Sequence, residues 1–289
     1  MNKKEEDPHL IPLPLAGEEA KAALVLAAAH LSATSDTSRL DAELLMAHAL
    51  GIGRDTLLLT ALDHPTPPEF APLVDRRAAG EPIAYILGHR AFWTIELEVA
   101  PGVLIPRPDS ETLIEAAVAH FDTQSPRNIL DLGTGPGTLL LAVLDQWPGA
   151  RGLGIDRSAA ALAIAARNAE RLGLGRRARF QAGDWGEGLH ERFDLILCNP
   201  PYVETAATLP PDVADWEPPE ALFAGADGLA DYRRLAPMLG PLLEPGGIAC
   251  IEVGAGQERA VTSLFAAQGF TISSRKDLSG TTRCLVLGH

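Results

Sequence analysis

The stretch RNILDLGTGPGTLLLAVLDQW, Arg127–Trp147, decides the architecture. Asn128–Gly133 is an apolar run of strand length, a turn with three glycines follows, and Thr138–Trp147 returns to the apolar spacing of a helix. Strand, glycine turn and helix in that order open a βαβ unit. The alternation continues toward the C-terminus. GLGID (Gly152–Asp156) precedes a helix at Ser158–Leu172, ARFQAGDW (Ala178–Trp185) and FDLILCN (Phe193–Asn199) read as strands, and GIACIEVG (Gly247–Gly254) precedes a helix at Gln257–Gln268. This pattern predicts a mostly parallel, doubly covered α/β sheet. The last two segments, FTISSRKD and TRCLVLG, are joined by a link too short for a parallel crossover, so they are expected to form an antiparallel hairpin at one edge.

Toward the N-terminus the pattern is helical, at Glu18–Leu31, Ser38–Leu50, Arg54–Ala61 and Pro68–Ala79, with few β-branched residues. A small helical bundle is expected there. From Tyr85 to Ile105, Phe92, Ile95, Leu97 and Val99 alternate with polar residues, which reads as a hairpin or ribbon. IPRPDSE (Ile105–Glu111) follows, with Ser110 or Asp109 as a cap for a helix at Glu111–Phe121. The expected organisation is a helical domain over 16–84, a ribbon linker over 85–108 and the α/β domain over 109–289.

With 289 residues, 46% of them hydrophobic and 21% charged, the chain is long enough for one large and one small globular domain. A formal charge of −14 argues against holding nucleic acid by phosphate neutralisation, which needs clustered Lys and Arg. Cys198, Cys250 and Cys284 lie in apolar runs without pairing or ligand spacing, so buried, reduced thiols are expected. The eight histidines are scattered, and no metal site is expected. MNKKEEDPHLIPLPL lacks the apolar core of a signal peptide, and Ala20–Leu31 is too short to span a bilayer. The expected compartment is the cytoplasm, with no membrane association.

In an open α/β sheet, ligands sit beyond the carboxyl ends of the strands. The first strand ends in Asp131-Leu-Gly133-Thr134-Gly135-Pro136-Gly137, a GxGxG turn that departs from the dinucleotide GxGxxG. Asp156 ends the second strand about 20 residues on, where a carboxylate can accept from both ribose hydroxyls; the reading set against that one is a cap of the helix that follows, and the glycine turn favours the ribose. Asp184 and Trp185 end the third, suited to the edge and face of an adenine. Three such strand ends describe an adenosine pocket without a phosphate cradle. S-adenosylmethionine suits it better than NAD or ATP. The fourth strand runs into Asn199-Pro200-Pro201-Tyr202, where two prolines fix two φ angles and remove two donors.

Taken together, these four strand ends resemble the class I S-adenosylmethionine-dependent methyltransferases of the amino group, in which Asn/Asp-Pro-Pro-Tyr/Phe marks methylation of a planar nitrogen. Such a nitrogen is a weak nucleophile because its lone pair is conjugated, on the scale of the ~18–20 kcal/mol peptide rotation barrier. Asn199 Oδ1 and the Pro200 carbonyl can each accept one N–H of a substrate NH2 group. Pro201 stiffens the loop, Tyr202 can pack flat on the substrate, and Cys198 alternates away into the core.

The substrate is narrowed by Glu81–Trp93, Val103–Glu111, Asp212-Val213, Trp216-Glu217-Pro218, Glu220–Leu229, Tyr232-Arg233, Pro245–Gly247, Glu252–Gly254 with Gln257, and Asp277-Leu278 with Arg283. This combination is similar to the HemK/PrmC family, which methylates the glutamine of the Gly-Gly-Gln motif in class-1 peptide-chain release factors. The resemblance covers about Glu81–Leu287 and implies S-adenosyl-L-methionine bound by Gly133, Thr134, Gly135, Pro136, Gly137, Asp156, Trp185 and Asn199, with Asp184 beside them. It implies substrate contacts from Asn199, Pro200, Pro201 and Tyr202, with Asn199, Pro200 and Tyr202 carrying the catalysis. Arg107 either joins the substrate site or pairs locally with Asp109 or Glu111. Glu217–Glu220 reads as a rigid loop or as a wall of the substrate cleft. Pro136 stands where the family usually has Ser or Thr, and Asp109-Ser110-Glu111 replaces Glu/Asp-Thr-Glu. A monomer acting on a release factor, without direct nucleic-acid contact, is expected. An adenine or cytosine methyltransferase would need a basic groove and a base-flipping insertion, and neither is seen. A non-catalytic nucleotide-binding module would not need the intact tetrapeptide.

Overall fold

The computed structural model describes residues 19–289 and divides into two compact units, one comprising the described residues through Gly88 with Pro211–Trp216, the other His89–Pro210 with Glu217–His289. The first unit contains helices Ala20–Leu31, Ser38–Leu50, Arg54–Thr60, Phe70–Ala78 and Ile83–Leu87, with a single helical turn at Pro211–Ala214. Leu24, Leu31, Leu45, Met46, Leu57 and Phe70 are fully buried in its core. Each such side chain contributes about 1.5–3 kcal/mol of burial free energy. Residue 16, the expected start of this unit, and Glu18 of the first expected helix lie outside the described residues.

The ribbon expected from Tyr85 begins later, because Ile83–Leu87 is a helix. Pro82 at its N-cap and Gly88 in the left-handed region at φ 78° bracket it, and Gly88 N–H returns to the Ala84 carbonyl. Local punctuation therefore overrides the strand-forming character of Tyr85 and Ile86. The ribbon itself is β1 (His89–Phe92) paired antiparallel with β2 (Ile95–Glu98).

The second unit carries a seven-stranded sheet of β3 (Asn128–Leu132), β4 (Arg151–Asp156), β5 (Ala178–Ala182), β6 (Phe193–Cys198), β7 (Leu243–Glu252), β8 (Thr271–Lys276) and β9 (Thr282–Gly288). Their spatial order is β5-β4-β3-β6-β7-β9-β8, with β9 antiparallel to both its neighbours and the other pairs parallel. The chain runs outward from β3 to β5 and then crosses back to β6. The order therefore reverses between β3 and β6, and a crevice opens at their carboxyl ends. Strand residues alternate between two cores: Ile129, Leu195, Leu197, Ile248 and Cys250 face one, and Leu130, Leu132, Ile196, Cys198, Ala249 and Ile251 face the other. All three cysteines are free and buried, and burial pushes the Cys198 thiol well above its ordinary range.

Helices Glu111–Phe121, Thr138–Gln146, Ala159–Arg171 and Glu258–Ala266 fall where their apolar spacing places them, within about two residues. Helix Ala230–Leu242 is absent from the sequence expectation because Pro237 and Pro241 lie inside it. Proline in a helix interior costs about 3 kcal/mol, yet Tyr232, Leu235, Ala236, Leu239 and Leu242 are all buried on one face. Their burial outweighs the broken backbone bonds. No described helix is long and apolar enough to cross a membrane.

Candidate active site

At the reversal point the β3 turn, the ends of β4 and β6 and the turn after β5 line a cleft of ≈ 350 Å³. Gly133, Gly135 and Gly137 take φ of 73°, 56° and 88°, the left-handed region in which a side chain is strained. The N–H groups of Gly133 and Thr134 both donate to the Ile155 carbonyl at 2.9 Å, which clamps the turn onto β4. Asp156 completes the clamp by accepting from Gly135 N–H and Ser158 N–H, each at 2.8 Å. It thus orders the turn, while the helix cap falls to Ser158, whose Oγ accepts from Ala161 N–H at 3.2 Å.

Gly133, Gly135, Asp156, Asp184, Trp185, Asn199 and Pro201 all border the cleft. Thr134, Pro136 and Gly137 do not. The Thr134 hydroxyl donates to Asp131 Oδ2 at 2.6 Å, and the Pro136 carbonyl accepts from Asn168 Nδ2 at 3.0 Å. A Cβ at Gly137 would come within 2.8 Å of Leu141 Cδ1, so this glycine lets helix Thr138–Gln146 start against its own side chains. Thr134 and Pro136, with Arg107 and Asn199, border a second, smaller cavity of ≈ 40 Å³. The Asp184 carboxylate is turned to Arg234 at 2.6 Å, and the Trp185 side chain, on a backbone at φ 52°, hydrogen-bonds Asp231. Burial is also the main reason the Asp231 carboxyl is raised above its ordinary value.

Asp131 opens the glycine-turn motif but is not among the site residues expected from sequence. It is 1% exposed; Oδ2 accepts from Thr134 and from Leu140 N–H at 3.2 Å, while Oδ1 has no partner among the described residues and the residue borders the smaller cavity. Burial pushes its carboxyl up to about 7 against those two donors. A buried carboxylate oxygen without a partner carries a substantial desolvation cost and marks a place where a cationic donor would be welcome. Apart from its two chain neighbours, no described residue comes within 4 Å of a Cβ position at Gly135, so a ligand can approach that backbone closely. Among the described residues the larger cleft is bordered by Asp156, Asp184, Glu220 and Asp231 against Arg157 alone among cations, and Arg157 donates to the Glu220 carbonyl at 2.9 Å. These residues suit a ribose-bearing ligand with a sulfonium and an ammonium. They suit phosphates poorly. S-adenosylmethionine fits.

The tetrapeptide leaves β6 beside Glu252, the last residue of β7. Asn199 Nδ2 donates to Ser110 Oγ at 3.1 Å, and Ser110 Oγ donates to Glu252 Oε2 at 2.5 Å. The Tyr202 hydroxyl donates to Glu252 Oε1 at 3.4 Å, and the Tyr202 carbonyl accepts from Gln257 Nε2 at 2.9 Å. Gly228 permits that close approach, since a Cβ there would lie 2.3 Å from the same carbonyl oxygen. Glu252 is fully buried, and burial is the main cause that lifts its carboxyl to about 7, opposed by the Ser110 hydroxyl. Burial likewise raises the Tyr202 phenol. Of the tetrapeptide, Asn199 and Pro201 line the cleft and Pro200 and Tyr202 do not.

Two local readings are corrected. Ser110 makes no side-chain cap of helix Glu111–Phe121; a 3₁₀ turn at Pro108–Ser110 leads into it and frees the hydroxyl for Glu252. Arg107 pairs with Glu217 and not with its sequence neighbours, for Asp109 is held by Arg283 at 2.8 Å and Glu111 accepts from Trp93 N–H at 3.0 Å. Glu217 is 3% exposed and its second oxygen accepts from Ile105 N–H at 3.2 Å, so it anchors the proline loop. The signal for Glu252 was present: it is a charge at the end of the otherwise apolar run IACI.

Residues 22–88 match the PrmC N-terminal domain and residues 109–214 the Methyltransferase small domain. The chain is 47% identical over 255 residues to a release factor glutamine methyltransferase of Rhodospirillum rubrum, covering 86% of this chain and 78% of that protein. It is 43% identical over 260 residues to one of Caulobacter vibrioides, covering 88% and 90%. A methyltransferase structure from Pyrococcus furiosus shares the fold, with TM-score 0.50 and 16% identity over 74% of this chain and 98% of that one.

Proposed function

The chain belongs to the family of release factor glutamine methyltransferases, and from that premise we propose that its cleft transfers a methyl group from S-adenosyl-L-methionine to a glutamine side-chain nitrogen. The substrate is the glutamine of the Gly-Gly-Gln motif in a class-1 release factor. We also read the enzyme as a cytoplasmic monomer.

The observation that carries this reading is the state of Asn199, a cleft-lining residue: its Nδ2 donates to Ser110, so the acceptor Oδ1, at the opposite side of the amide tip, is left for an incoming donor. A primary amide NH2 is such a donor. One of its N–H groups goes to Asn199 Oδ1 and the other to the Pro200 carbonyl, which aims the nitrogen and accommodates the positive charge that grows on it. The bound cofactor supplies a methyl on a positively charged sulfur, so neither a covalent nucleophile nor an external activating group is required. The chain's own contribution is alignment, for which effective molarities correspond to about 7–11 kcal/mol, and preorganised acceptors. Asp156 receives the ribose, Trp185 and the Asp184 backbone the adenine, and the free Oδ1 of Asp131 the ammonium. Gly133 and Gly135 admit the ligand, while Thr134, Pro136 and Gly137 hold the turn. Pro201 and Tyr202 shape the slot for the planar group. Arg107, held by Glu217, stiffens the loop beside it and contributes to the substrate wall.

The test pairs labelled cofactor with a purified class-1 release factor and, separately, with adenine-containing duplex DNA. Label in the release factor is expected; label in the DNA alone would overturn the substrate. Asn199→Ala is expected to lower kcat by about 10²–10³, the cost of losing one preorganised hydrogen-bonding group. A rate within about threefold of the parent would remove the acceptor role.

A further inference from the structure

We propose that Ser110 and Glu252 are positioning residues that set the polarity of the Asn199 amide, so that its oxygen and not its nitrogen faces the substrate. This rests on the acceptor role of Asn199 given above. An Asn side chain has an oxygen and a nitrogen of almost equal size at its tip, and a half-turn about χ2 exchanges them with little steric penalty. Shape alone therefore does not keep the acceptor forward. The wrong orientation would set the NH2 of Asn199 against the NH2 of the substrate, donor against donor.

Hydrogen-bond direction removes the ambiguity. Ser110 is 3% exposed and has a single hydroxyl proton. That proton points at Glu252 Oε2, 2.5 Å away, and an ionised carboxylate can only accept. The hydroxyl oxygen is left as an acceptor toward Asn199, so the nearer Asn199 atom at 3.1 Å must be Nδ2. Direction runs from Asn199 through Ser110 into Glu252. The parallel register that sets Cys198 opposite Ile251 brings Asn199 and Glu252 side by side at the sheet end, and Ser110 closes the gap from another segment. Glu252 Oε1 meanwhile accepts from Tyr202, so one carboxylate orients both ends of the tetrapeptide.

The relay has a reversed form. A protonated Glu252 can donate to Ser110, whose proton then turns to Asn199 Oδ1 and brings Nδ2 to the front. Around the Glu252 carboxyl stand Ser110 and Asp109 from the 3₁₀ turn, Arg283 from β9 and Tyr202 from the tetrapeptide; the Tyr232 hydroxyl donates to the Glu252 backbone carbonyl instead. Arg283 is shared between Asp109 at 2.8 Å and Asp277 at 3.0 Å, so it does not pair Glu252 directly. With the carboxyl raised to about 7, both forms are reached in an ordinary assay range, and the productive one gains with rising pH.

The test measures methyl transfer to intact release factor by Ser110→Ala, Glu252→Gln, the double variant and Asn199→Ala, with labelled-cofactor binding to each. Ser110→Ala is expected to lower kcat about tenfold with cofactor Kd within about threefold, as for loss of an orienting outer contact. In the parent, kcat is expected to rise with pH through about 7, the value to which burial lifts Glu252; in Glu252→Gln, which is nearly isosteric and has no proton to lose, that limb is expected to be absent. The double variant is expected within about threefold of Ser110→Ala, because residues of one relay are not additive. A Ser110→Ala kcat within about threefold of the parent, a loss that tracks cofactor affinity, a multiplicative double variant, or a pH limb that survives in Glu252→Gln would each overturn the proposal. Should Ser110→Ala fail to bind cofactor, the pH limb of Glu252→Gln alone decides. Asn199→Ala separates the two readings. If it keeps the parent rate, the acceptor role fails; if it loses the rate while Ser110→Ala does not, only the positioning role fails.

Discussion

The buried carboxylates of the helical unit and the two at the sheet ends, Asp131 and Glu252, are treated in opposite ways, whereas the sheet unit's Glu217 is paired with Arg107. In the helical unit, Asp41, Glu43 and Glu81 are 3%, 5% and 8% exposed, and each meets a guanidinium: Arg77 on Asp41 at 2.7 Å, Arg39 and Arg54 on Glu43 at 2.7 Å each, Arg76 on Glu81 at 2.5 Å. Burial alone would raise the Glu43 carboxyl, yet the bonds from Arg39 and Arg54 hold it below its ordinary value. In the sheet unit, Asp131 and Glu252 are buried at 1% and 0% and meet hydroxyls and a backbone N–H, with no guanidinium bonded to either. Both rise to about 7. One region neutralises its buried charge and so uses it to fix a fold. The other leaves charge available beside a cleft, a local cost of the kind that accompanies function.

The strongest way to break the contrast is to orphan a charge in the helical unit. Arg77→Leu leaves Asp41 buried with only the Ser35 and Thr37 hydroxyls, at 2.8 and 3.1 Å. The expected loss is about 3–5 kcal/mol in urea unfolding at pH 7, the usual cost of removing one partner of a buried pair. Replacing both residues by apolar ones of similar volume should recover most of it. A loss under about 1 kcal/mol for the single variant would mean that the pair is effectively solvated.

Glu252→Gln should act with the opposite sign. The folded protein holds the Glu252 proton up to about 7, whereas the unfolded chain releases it near the ordinary 4.5. The folded state therefore binds more protons across that window, and its stability falls as pH rises through it. The cost is absent below the window and complete above it, at roughly 3 kcal/mol. Glutamine removes the cost, so thermal melts should show the variant more stable than the parent at about pH 8 and no different at about pH 4. Equal melting points at both ends would place Glu252 among the neutralised carboxylates.

Asp131→Asn reads the second orphan through the ligand. Its oxygen can still accept from Thr134 and Leu140, but the unpartnered position becomes an NH2 group facing a cationic ligand. Cofactor affinity should fall about tenfold, or ~1.4 kcal/mol, by equilibrium dialysis. Unchanged affinity would detach Asp131 from the ligand and leave its free oxygen unexplained.

What could be read from the sequence divides along the same line. The glycine turn, Asp156 and the Asn199–Tyr202 tetrapeptide were legible because each is a short motif at the end of a strand whose periodicity is local. Ser110 with Glu252 and Arg107 with Glu217 were not, since they are separated by 142 and 110 positions and meet only once the strand order is known. Single residues mislead in the same way. Ser110 looks like a cap because it precedes a helix, and nothing nearby reveals an acceptor on β7. Helix Ala230–Leu242 was hidden by Pro237 and Pro241, because the apolar surface that outweighs them belongs to other strands. Local chemistry is visible in a sequence; the partners that tune it are set by topology.

The finest division within the neutralised region is at Glu43, which has two cations where one would serve. Arg39 is an exposed i,i+4 partner, 49% exposed, and Arg54 reaches the other oxygen from another helix. Arg39→Ala leaves that second contact in place, so unfolding free energy should change by less than about 1 kcal/mol. Acid sensitivity should shift with it. A lowered folded value contributes stability that is present above the unfolded value and lost as pH falls through the folded one. Without Arg39 the Glu43 value moves up, and that loss sets in at a higher pH. A variant that loses several kcal/mol at pH 7 would show instead that Glu43 needs both guanidiniums, and that neutralisation there is as finely balanced as the open charge at the sheet end.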